Sequence, residues 1–564
     1  SPIPDQFAGS PFNVALRAVE TNTTTGACEA RVEGPQTVNM GVECINPSSC
    51  ISGQTYQVDN TPIGFNANGV VNNFVPVDVN FDANGTAILP HNYSDVGLLR
   101  LHASLQLTPE PNPDNPDLDD PPIQLTRTST SEYVVKPYSL IVRALDDNGD
   151  FWTDVNAGYR AAGEDFSVII QSLNADNLPT PNFGNEMPEI SLSATLDSVA
   201  FPTNGTLGNL TQTNNFSPSL TNVGAYSNDG LRWNEVGIVN LVASLADQDY
   251  LGGGDALNRP PSPVGRFYPH HFELQMNSAS VTNACIGEGF TYMGQPNIEV
   301  EFIIDAVNLA GQVTTNYGRA EYNGSAIVDG FAAHDSPAID LDNEFLERFE
   351  LTTESNEAWE NGSLSFSNEN LIFSRFSQEP PDGPYPQTRI GLQIRDEQDS
   401  RNFLPSALAL ETAAGLAVQL TGELNIIYGR LVLENTYGPE GEDLPVDLRA
   451  QYWSGSRFET HTADQCTPYQ VNNLALLDAS VTDTQPGGID GNLVEGAVIP
   501  GNLLWLAPTT PEPALEFEFE YDAPPWLEFN WEDADNNIHR NPRAFGSFGQ
   551  FRGNDRIIFW LELR

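Results

Sequence analysis

The sequence reads Tyr93-Ser94-Asp95-Val96-Gly97-Leu98-Leu99-Arg100-Leu101-His102-Ala103-Ser104-Leu105, and 140 residues later it reads Trp233-Asn234-Glu235-Val236-Gly237-Ile238-Val239-Asn240-Leu241-Val242-Ala243-Ser244-Leu245. Both copies keep an aromatic residue, an acid and Val-Gly ahead of an apolar segment that ends in Ala-Ser-Leu. A short apolar segment that follows a turn residue is typical of a β-strand. The chain is therefore predicted to repeat a β-rich unit.

A second pair of segments recurs with nearly the same spacing. Phe166-Ser167-Val168-Ile169-Ile170, followed by Asn182-Phe183-Gly184, is matched at an offset of 134 residues by Val300-Glu301-Phe302-Ile303-Ile304, followed by Asn316-Tyr317-Gly318. A repeat of this length is too long for a solenoid unit and suits one β-sandwich with decorated loops. Both offsets indicate a repeating unit the size of a domain.

The rest of the sequence favours the same class. The 42 prolines and 46 glycines leave little room for long helices, and one short helix is predicted over residues 406–420, where Gly415 weakens it. We predict an all-β protein of serial immunoglobulin-like β-sandwich domains. Their limits are 1–136, 137–274, 275–422 and a C-terminal β domain over 423–564. Residues 108–122, acidic and rich in proline, form an extended insertion in the first domain.

The charge of the chain excludes several partners. Its 24 basic and 76 acidic side chains give a net charge of −52. A nucleic-acid-binding protein needs a basic face, and so does a protein that docks on an anionic membrane. No apolar run reaches the ~18 residues of a membrane span. An acidic surface poor in lysine suits salty water, so we expect an extracellular or cell-surface location in a marine or halophilic Gram-negative bacterium.

Five cysteines are present, and none of them forms a CxxC pair. A zinc ribbon or a redox motif is therefore not expected. In an oxidising compartment we predict a disulfide between Cys285 and Cys466, with two separate buried thiols as the alternative. Among Cys28, Cys44 and Cys50 we expect one bridge, and we prefer Cys28–Cys44 to Cys44–Cys50.

Two short acidic segments predict calcium sites, because oxygen ligands at alternate positions open many calcium loops. The candidate ligands are Asp533, Asp535 and Asn537 in one segment and Asp146, Asn148 and Asp150 in the other. In the segment that begins at Asp533, the glycine and the distal glutamate of an EF-hand are absent, which excludes that fold. Solvated turns are the alternative interpretation of both segments.

Catalytic patterns are not found. The seven histidines form no HExxH pair, no GxSxG elbow occurs, and no glycine-rich phosphate loop follows a strand. The paired carboxylates of a glycosidase are defined by distance in space rather than by sequence spacing, so the sequence does not identify them. We therefore expect no enzyme.

Several motifs resemble the large C-terminal region of MshQ-type proteins, which belong to the mannose-sensitive haemagglutinin (MSHA) type IV pilus system of Gram-negative bacteria. The motifs are Val264-Gly265-Arg266-Phe267-Tyr268-Pro269-His270-His271-Phe272, Phe290-Thr291-Tyr292-Met293-Gly294-Gln295-Pro296, Thr315-Asn316-Tyr317-Gly318, Gly429-Arg430-Leu431, Asn435-Thr436-Tyr437-Gly438-Pro439, Leu448-Arg449-Ala450-Gln451-Tyr452-Trp453 and Phe551-Arg552-Gly553-Asn554-Asp555-Arg556-Ile557-Ile558. The resemblance spans nearly the whole chain. It implies a surface or pilus-associated protein and supplies no catalytic residues.

The leading prediction is a non-catalytic multidomain β-protein of the cell surface, associated with an MSHA-like type IV pilus in adhesion or pilus assembly. Its partners would be pilus or cell-envelope proteins. A first alternative is a carbohydrate-binding or carbohydrate-active protein, in which Trp453, Trp526 and Trp531 stack on surface glycans. A second alternative is an extracellular filament subunit that self-associates by exchanging strands near residues 1–10 and 556–564.

Overall fold

The structure is a computed structural model of the chain. It describes residues 2–21, 26–51, 53–107, 123–128, 131–319, 321–322, 324–353, 359–376, 381–478, 481–509, 514–531 and 539–549. The predicted acidic insertion at 108–122 lies outside the described residues, and so does the C-terminal segment 556–564 proposed for strand exchange.

Strands dominate, which confirms the predicted all-β class. The described residues contain 45 strands, one four-residue helix (α1, Leu341–Glu344) and three short 3₁₀ turns at Met276–Ser278, Val471–Asn473 and Pro525–Leu527. Every strand pairs within one of four consecutive groups, which we call modules 1 to 4. No helix in the described part of the chain has the length and apolarity needed to cross a membrane.

Module 1 is built of a seven-stranded sheet around β5 and β11, a four-stranded sheet β2-β10-β6-β7 and the ribbon β3-β4. Its strands are β1 (Gln6–Phe7), β2 (Phe12–Arg17), β3 (Val19–Thr21), β4 (Cys28–Ala30), β5 (Gly34–Asn46), β6 (Tyr56–Val58), β7 (Thr61–Pro62), β8 (Gly64–Ala67), β9 (Val75–Phe81), β10 (Thr86–Tyr93), β11 (Gly97–Leu107), β12 (Ile123–Thr128) and β13 (Tyr133–Lys136). The repeated stretch at Tyr93 therefore ends β10 and opens β11.

Module 2 has a five-stranded sheet around β16 and β20 and a four-stranded sheet β15-β22-β21-β17. Its strands are β14 (Ser139–Leu145), β15 (Arg160–Ala161), β16 (Asp165–Leu173), β17 (Leu192–Phe201), β18 (Leu210–Thr211), β19 (Ser217–Pro218), β20 (Ala225–Trp233), β21 (Gly237–Leu245) and β22 (Ser262–Tyr268). Here too the repeated stretch joins two strands, because Trp233 ends β20 and Gly237 begins β21.

Module 3 has a four-stranded sheet around β26 and a seven-stranded sheet around β30. Its strands are β23 (His271–Leu274), β24 (Ser280–Thr282), β25 (Thr291–Tyr292), β26 (Ile298–Val307), β27 (Ile327–Ala333), β28 (Leu351–Thr352), β29 (Ser363–Leu371), β30 (Tyr385–Arg395), β31 (Leu410–Thr412), β32 (Gly415–Gln419) and β33 (Leu424–Ile427). The helix predicted over 406–420 is wrong, because Gly415 takes a φ of 109° and turns the chain into the hairpin β31-β32.

Module 4 consists of four small sheets, β34-β37-β38, β35-β45-β44-β40, β36-β43-β41 and β39-β42. Its strands are β34 (Gly429–Leu433), β35 (Thr436–Pro439), β36 (Leu444–Pro445), β37 (Leu448–Trp453), β38 (Phe458–Thr460), β39 (Pro468–Tyr469), β40 (Leu474–Leu476), β41 (Pro486–Gly488), β42 (Gly491–Asn492), β43 (Leu503–Trp505), β44 (Ala514–Tyr521) and β45 (Arg543–Gly549). The domain limits that the sequence suggests lie within a few residues of the ends of these groups, and they stay predictions.

The chain divides into two compact units. Unit 1 comprises Ser1–His270, Val307–Asn323 and Glu360–Gly362, and unit 2 comprises His271–Ala306, Gly324–Trp359 and Ser363–Arg564. In unit 1 a single apolar core continues through modules 1 and 2, from Ala8 to Phe267. In unit 2 one apolar cluster joins Phe290 and Tyr292 of module 3 to the aromatic core of module 4. Within each unit, successive modules therefore share buried apolar surface.

The predicted disulfide between Cys285 and Cys466 is present, with the two Cα atoms 5.8 Å apart. The predicted bridge between Cys28 and Cys44 is wrong, since Cys44 is joined to Cys50 at a Cα–Cα distance of 5.7 Å. Cys28 is exposed and lies in β4, which is held in the ribbon with β3. Cys44 instead lies in β5, and the chain turns back after this strand, so that Cys50 reaches it.

Candidate functional site

In modules 1, 2 and 3 a two-residue strand pairs in parallel with the last strand of the module, as β1 with β13, β15 with β22 and β25 with β33. The next backbone N–H continues the ladder and donates to the last strand: Ala8 to Lys136 at 2.9 Å, Ala162 to Tyr268 at 2.8 Å and Met293 to Ile427 at 2.9 Å. In each of the three modules, the residue that follows the short strand is therefore held in the same position beside the last strand.

A glycine comes next in each of the three modules. Gly9, Gly163 and Gly294 have φ values of 74°, 85° and 83°, a backbone conformation that suits glycine. Each glycine N–H donates to the carbonyl of an aromatic residue: Gly9 to Tyr93 at 2.6 Å, Gly163 to Trp233 at 2.7 Å and Gly294 to Phe373 at 2.8 Å. Two of these aromatic residues open the repeated stretches described above.

In unit 1 the acid of the first stretch binds module 2. The Asn182 backbone N–H donates to both carboxylate oxygens of Asp95, at 3.1 and 3.2 Å. The Asn182 side-chain amide donates to the carbonyl of the residue after Asp95, at 2.9 Å. The Asn174 side-chain amide donates to the Ser94 carbonyl at 3.0 Å. We call these contacts, together with the bond from Gly9 to Tyr93, clasp 1.

The second stretch forms the same set of bonds, also within unit 1. The Asn316 N–H donates to the Glu235 carboxylate at 3.1 Å, and the Asn316 side-chain amide donates to the carbonyl of the residue after Glu235 at 3.2 Å. The Asn308 side-chain amide donates to the Asn234 carbonyl at 3.1 Å. The N–H and hydroxyl of Thr315 also donate to Glu235, at 2.9 and 2.7 Å. This set, with the bond from Gly163 to Trp233, is clasp 2.

In both clasps the glycine lies against the backbone of the segment that the clasp binds. The Ala175 N–H donates to the carbonyl of Ala8 at 2.9 Å, and a Cβ on Gly9 would lie only 3.0 Å from that same nitrogen. In clasp 2, the Leu309 N–H donates to the carbonyl of Ala162 at 2.9 Å, and a Cβ on Gly163 would lie 3.1 Å from the Leu309 nitrogen. Close approach of the two backbones therefore requires glycine at both positions.

Clasp 1 contains a second buried carboxylate, Glu186. It accepts hydrogen bonds from the Tyr250 hydroxyl at 2.6 Å, the Gly184 N–H at 2.7 Å and the Tyr226 hydroxyl at 3.4 Å. Burial raises the pKa of Asp95 to about 7, with a further increase from the negative charge of Glu186, although backbone N–H groups partly oppose it. Burial also raises the pKa of Glu186. Clasp 1 therefore holds two carboxylates whose pKa values are both raised by burial.

Clasp 2 has only one carboxylate at its centre. Burial raises the pKa of Glu235, and its hydrogen bonds to Thr315 and Asn316 oppose this change. In both clasps a carboxylate is buried away from water, and its negative charge is stabilised by hydrogen-bond donors rather than by a basic side chain.

In unit 2 the position of the acid is taken by an arginine. Arg375 follows Phe373 by two residues, as Asp95 follows Tyr93. Its guanidinium donates to the carbonyls of Trp526 at 3.1 Å and Gly429 at 3.2 Å, and it lies 3.9 Å from the centre of the Tyr428 ring. We call this contact between modules 3 and 4 the arginine clasp. Its charge is opposite to that of clasps 1 and 2, and its partners are acceptors instead of donors.

Unit 2 also joins its modules near the disulfide Cys285–Cys466. The Tyr292 hydroxyl donates to Asp464 at 2.8 Å, and the His461 Nδ1 atom lies 2.7 Å from the same hydroxyl oxygen. Burial lowers the pKa of His461 to about 4, so this imidazole is neutral at physiological pH. Modules 3 and 4 are therefore joined by a covalent bond and by a buried polar cluster.

One of the two predicted sets of calcium ligands lies within the described residues and the other does not. Asp533, Asp535 and Asn537 lie outside the described residues. Asp146, Asn148 and Asp150 form a tight turn, in which the N–H groups of Asn148 and Asp150 both donate to Asp146 Oδ1 at 2.9 Å. Within the described ranges, no group of three His, Cys, Asp or Glu side chains is placed to hold a metal ion. Calcium at either segment stays a prediction.

Of the three tryptophans predicted to stack on sugars, Trp531 lines a depression, which it shares with Leu433, Glu518, Arg540, Asn541, Pro542 and Arg543. Trp453 packs edge-on against Phe458, and Trp526 packs on the apolar cluster of unit 2. The three side chains therefore do not form a common platform.

Sequence reasoning did not connect the residues of the clasps. One repeat contains the acid and the other contains the Asn-aromatic-Gly element, and neither repeat by itself indicates a contact with the other. The two offsets, 140 and 134 residues, are nearly equal. Two polar elements that recur with nearly the same spacing can contact each other in each copy, so this similarity is the signal in the sequence from which the clasps could be predicted.

Family models match almost the whole chain. The model described as a domain of unknown function (DUF6701), first Ig-like domain, matches residues 1–117. The models of the second, third and fourth DUF6701 domains match residues 136–229, 235–423 and 427–563. No curated protein matches the chain in sequence.

Three solved structures resemble the chain at low identity. FdeC, described as an Escherichia coli adhesin, is 12% identical with a TM-score of 0.27, over 75% of this chain and 94% of the FdeC chain in that structure. Invasin, a bacterial integrin-binding protein, is 9% identical with a TM-score of 0.29, over 91% of this chain and 76% of invasin. Cadherin-like domains 1 to 4 of zebrafish RET are 9% identical with a TM-score of 0.21, over 97% of both chains.

Proposed function

We propose that this chain, which belongs to the DUF6701 family because the four domain models match it in order, is a non-catalytic multidomain β-protein of the cell surface that acts in adhesion. The observation that carries the proposal is the clasp. A surface protein that transmits a pulling force needs contacts between modules that keep their orientation. The buried, repeated hydrogen bonds of Asp95 and Glu235 and the covalent bond of Cys285 provide such contacts.

An extracellular location is supported by the cysteines and by the charge. Disulfides persist in oxidising compartments, and four of the five cysteines are paired. A net charge of −52 keeps such a protein soluble in salty water, where ions screen its self-repulsion. This supports the proposed surface of a marine or halophilic Gram-negative bacterium.

A non-catalytic role is supported by two buried histidines, His91 and His461. Burial lowers the pKa of both His91 and His461 to about 4. Each ring is packed against tyrosines, His91 against Tyr56 and His461 against Tyr292. A proton donor or acceptor works best with a pKa near the operating pH, so these rings are better suited to packing than to catalysis.

The finer proposal is a link to an MSHA-like type IV pilus, with pilus or cell-envelope proteins as partners. It rests on the sequence motifs listed above. Deleting the gene in its host and counting pili by electron microscopy separates pilus assembly from adhesion. A loss of pili would indicate assembly, whereas normal pili on cells that attach poorly would indicate adhesion.

The adhesion proposal is tested in a flow cell. We expect cells without the gene to attach less firmly under shear, and the wild-type gene to restore attachment. A gene carrying Cys285→Ser and Cys466→Ser should restore attachment in still medium but not under shear, because the bond that joins modules 3 and 4 is missing. The proposal is wrong if deletion leaves attachment under shear unchanged.

Carbohydrate binding is the second candidate, and the depression at Trp531 favours it. An indole ring can stack on the apolar face of a sugar, Glu518 can accept hydrogen bonds from hydroxyls, and Arg540 and Arg543 match a carboxylate. Two arginines in one depression are notable in a chain with only 24 basic residues, so the preferred ligand would be an acidic saccharide.

A glycan array with the purified chain tests this second candidate. Binding to uronic or sialic acids that Trp531→Ala abolishes and Trp453→Ala preserves would support it. Trp453 is the matched control, because it is also a partly buried tryptophan of module 4 but does not line the depression. Equal binding by both variants, or none by the wild-type chain, would contradict it.

A further inference from the structure

Clasp 1 brings two carboxylates into the contact between modules 1 and 2. Asp95 has no exposed surface, and Glu186 is 1% exposed. Asp95 comes from module 1, between β10 and β11, and Glu186 comes from module 2, between β16 and β17. Each accepts hydrogen bonds from backbone N–H groups, so neither depends on a charged partner for its geometry.

The groups that face this pair are acids and tyrosines. The hydroxyls of Tyr226 and Tyr250 donate to Glu186, and the Tyr93 hydroxyl accepts a hydrogen bond from the Asn182 side-chain amide at 2.8 Å. Glu189 adds a further negative charge near Tyr226. Among the described residues, no basic side chain pairs with either carboxylate.

The chain has a single lysine, Lys136, and its ammonium group has other partners between modules 1 and 2. The Lys136 ammonium donates to the Gly253 carbonyl at 2.6 Å and lies 4.7 Å from the centre of the Phe7 ring. Asp5, at the start of the chain, accepts a hydrogen bond from the Val134 N–H at 2.9 Å. Burial is therefore the main cause that raises the pKa of each carboxylate, and the negative charge of Glu186 adds to the rise for Asp95.

We propose that clasp 1 is a proton-operated joint. In mildly acidic medium the Asp95–Glu186 pair takes up a proton and the contact between modules 1 and 2 tightens. In alkaline medium the pair releases that proton and the contact loosens. The arginine clasp does not respond over the same pH range, because its guanidinium stays protonated, and the disulfide Cys285–Cys466 of unit 2 does not titrate.

The direction follows from linkage. An exposed aspartate has a pKa of 3.8, and burial raises that of Asp95 to about 7. When the pKa of a group is higher in the folded state, its stabilisation is complete below the unfolded pKa and decreases as the pH rises. The contribution of Asp95 is therefore largest near pH 4 and is lost as the pH passes through 7. Burial raises the pKa of Glu235 too, which gives clasp 2 a response of the same sign.

Hydrogen exchange measured by mass spectrometry on the full chain tests the proposal. Protection of the Asn182 amide is followed from pH 5 to pH 8, with correction for the intrinsic exchange rate. We expect protection to fall about tenfold or more in the wild-type chain, since one pKa unit corresponds to a factor of ten. Amides beside Arg375 in unit 2 should keep constant protection.

Asp95→Asn should remove this pH dependence, because the amide oxygen still accepts the Asn182 N–H but no longer titrates. Asp59→Asn is the matched control: Asp59 is an exposed aspartate of module 1, and its loss changes the net charge equally. Protection that is constant from pH 5 to pH 8 in the wild type, or an unchanged pH dependence in Asp95→Asn, overturns the proposal.

Glu186→Gln provides a second variant in case Asp95→Asn does not fold. It keeps an acceptor for Tyr250 but removes the negative charge that faces Asp95. We expect the midpoint of the protection profile to move to lower pH. A midpoint that stays in place would show that the two carboxylates are not coupled, and the proposal would fail.

Discussion

Units 1 and 2 join their modules at the same structural position with opposite charges. In both, a glycine that follows a short parallel strand donates to the carbonyl of an aromatic residue, Tyr93 in unit 1 and Phe373 in unit 2. Two residues later the chain has Asp95 in unit 1 and Arg375 in unit 2. The carboxylate accepts from N–H groups of the neighbouring module, whereas the guanidinium donates to its carbonyls.

The comparison shows which part of the contact is constant. A backbone offers both N–H donors and C=O acceptors, so a loop can be held by a side chain of either charge once its approach is fixed. The approach is fixed by the glycine and by the strand before it. The charge then decides how the contact responds to protons, and unit 2 adds a covalent bond that unit 1 lacks at this place.

The largest effect is expected from removing that covalent bond. Cys285 and Cys466 are 181 residues apart, and the chain-entropy model gives a disulfide of this span about 5 kcal/mol. Cys285→Ser with Cys466→Ser should therefore lower the free energy of unfolding of unit 2 by up to this amount and leave unit 1 unchanged. Urea unfolding followed by hydrogen exchange distinguishes the two units.

The matched control is Cys44→Ser with Cys50→Ser, which opens a loop that spans only 6 residues. The same model gives it about 2 kcal/mol, and the loss should appear in unit 1. Equal losses from both double variants would contradict the view that span determines how much each bond contributes.

The arginine clasp should rank next. Arg375→Met keeps an apolar stem but leaves the carbonyls of Trp526 and Gly429 without their donor, and each buried unsatisfied group costs about 1–3 kcal/mol. We expect unit 2 to lose about 3 kcal/mol in urea unfolding. Arg457→Met is the control, since this arginine is 78% exposed and its ion pair should contribute less than about 1 kcal/mol. Similar losses in both variants would show that Arg375 is not a joint.

Much of the fold followed from the sequence because the strand repeats are long and apolar. The stretch at Tyr93 predicted a strand and a domain-sized repeat, and both are present. The hairpin β31-β32 was missed, because an apolar run with one glycine has no decisive period. The Cys44–Cys50 bridge was the less preferred of the two alternatives, because the choice depends on the turn after β5, which spacing alone does not define.

The clasps were harder to predict than the strands. Asp95 and Asn182 are 87 residues apart, and nothing local in the sequence marks them as partners. Their pairing arises only when two modules pack, and the raised pKa of Asp95 arises from the burial that packing creates. Arg375 was harder still, because at the corresponding position it replaces an acid by a base and so interrupts the repeat.

A smaller effect is expected at the glycines that underlie the clasps. Gly9→Ala places a Cβ 3.0 Å from the Ala175 nitrogen and adds backbone strain at φ 74°. Gly149→Ala has the same kind of strain at φ 83° with no atom within 4 Å. A left-handed conformation costs a non-glycine residue about 1–2 kcal/mol. With the close contact added to this strain, Gly9→Ala should lower the stability of unit 1 by about 2–3 kcal/mol, about 1 kcal/mol more than Gly149→Ala, as measured by urea unfolding. Equal losses would mean that the backbone at Ala175 in module 2 can move away from the added Cβ with no loss of stability.

The smallest effect is expected from calcium. In the Asp146 turn, Asp146 Oδ1 already accepts two backbone N–H groups, so an ion would rely on the other carboxylate oxygen, on the Asn148 side chain and on Asp150. Such a site would resemble extracellular calcium modules with a Kd near ~1 mM, and 10 mM calcium would then stabilise unit 1 by about 1.4 kcal/mol. The melting temperature of unit 1 should rise with calcium, and Asp150→Asn should reduce the rise. Magnesium at the same concentration separates binding from screening of the negative charge, because it screens equally but fits a site of this kind poorly. An equal rise with both ions would leave screening as the cause, and the calcium prediction for this turn would be wrong.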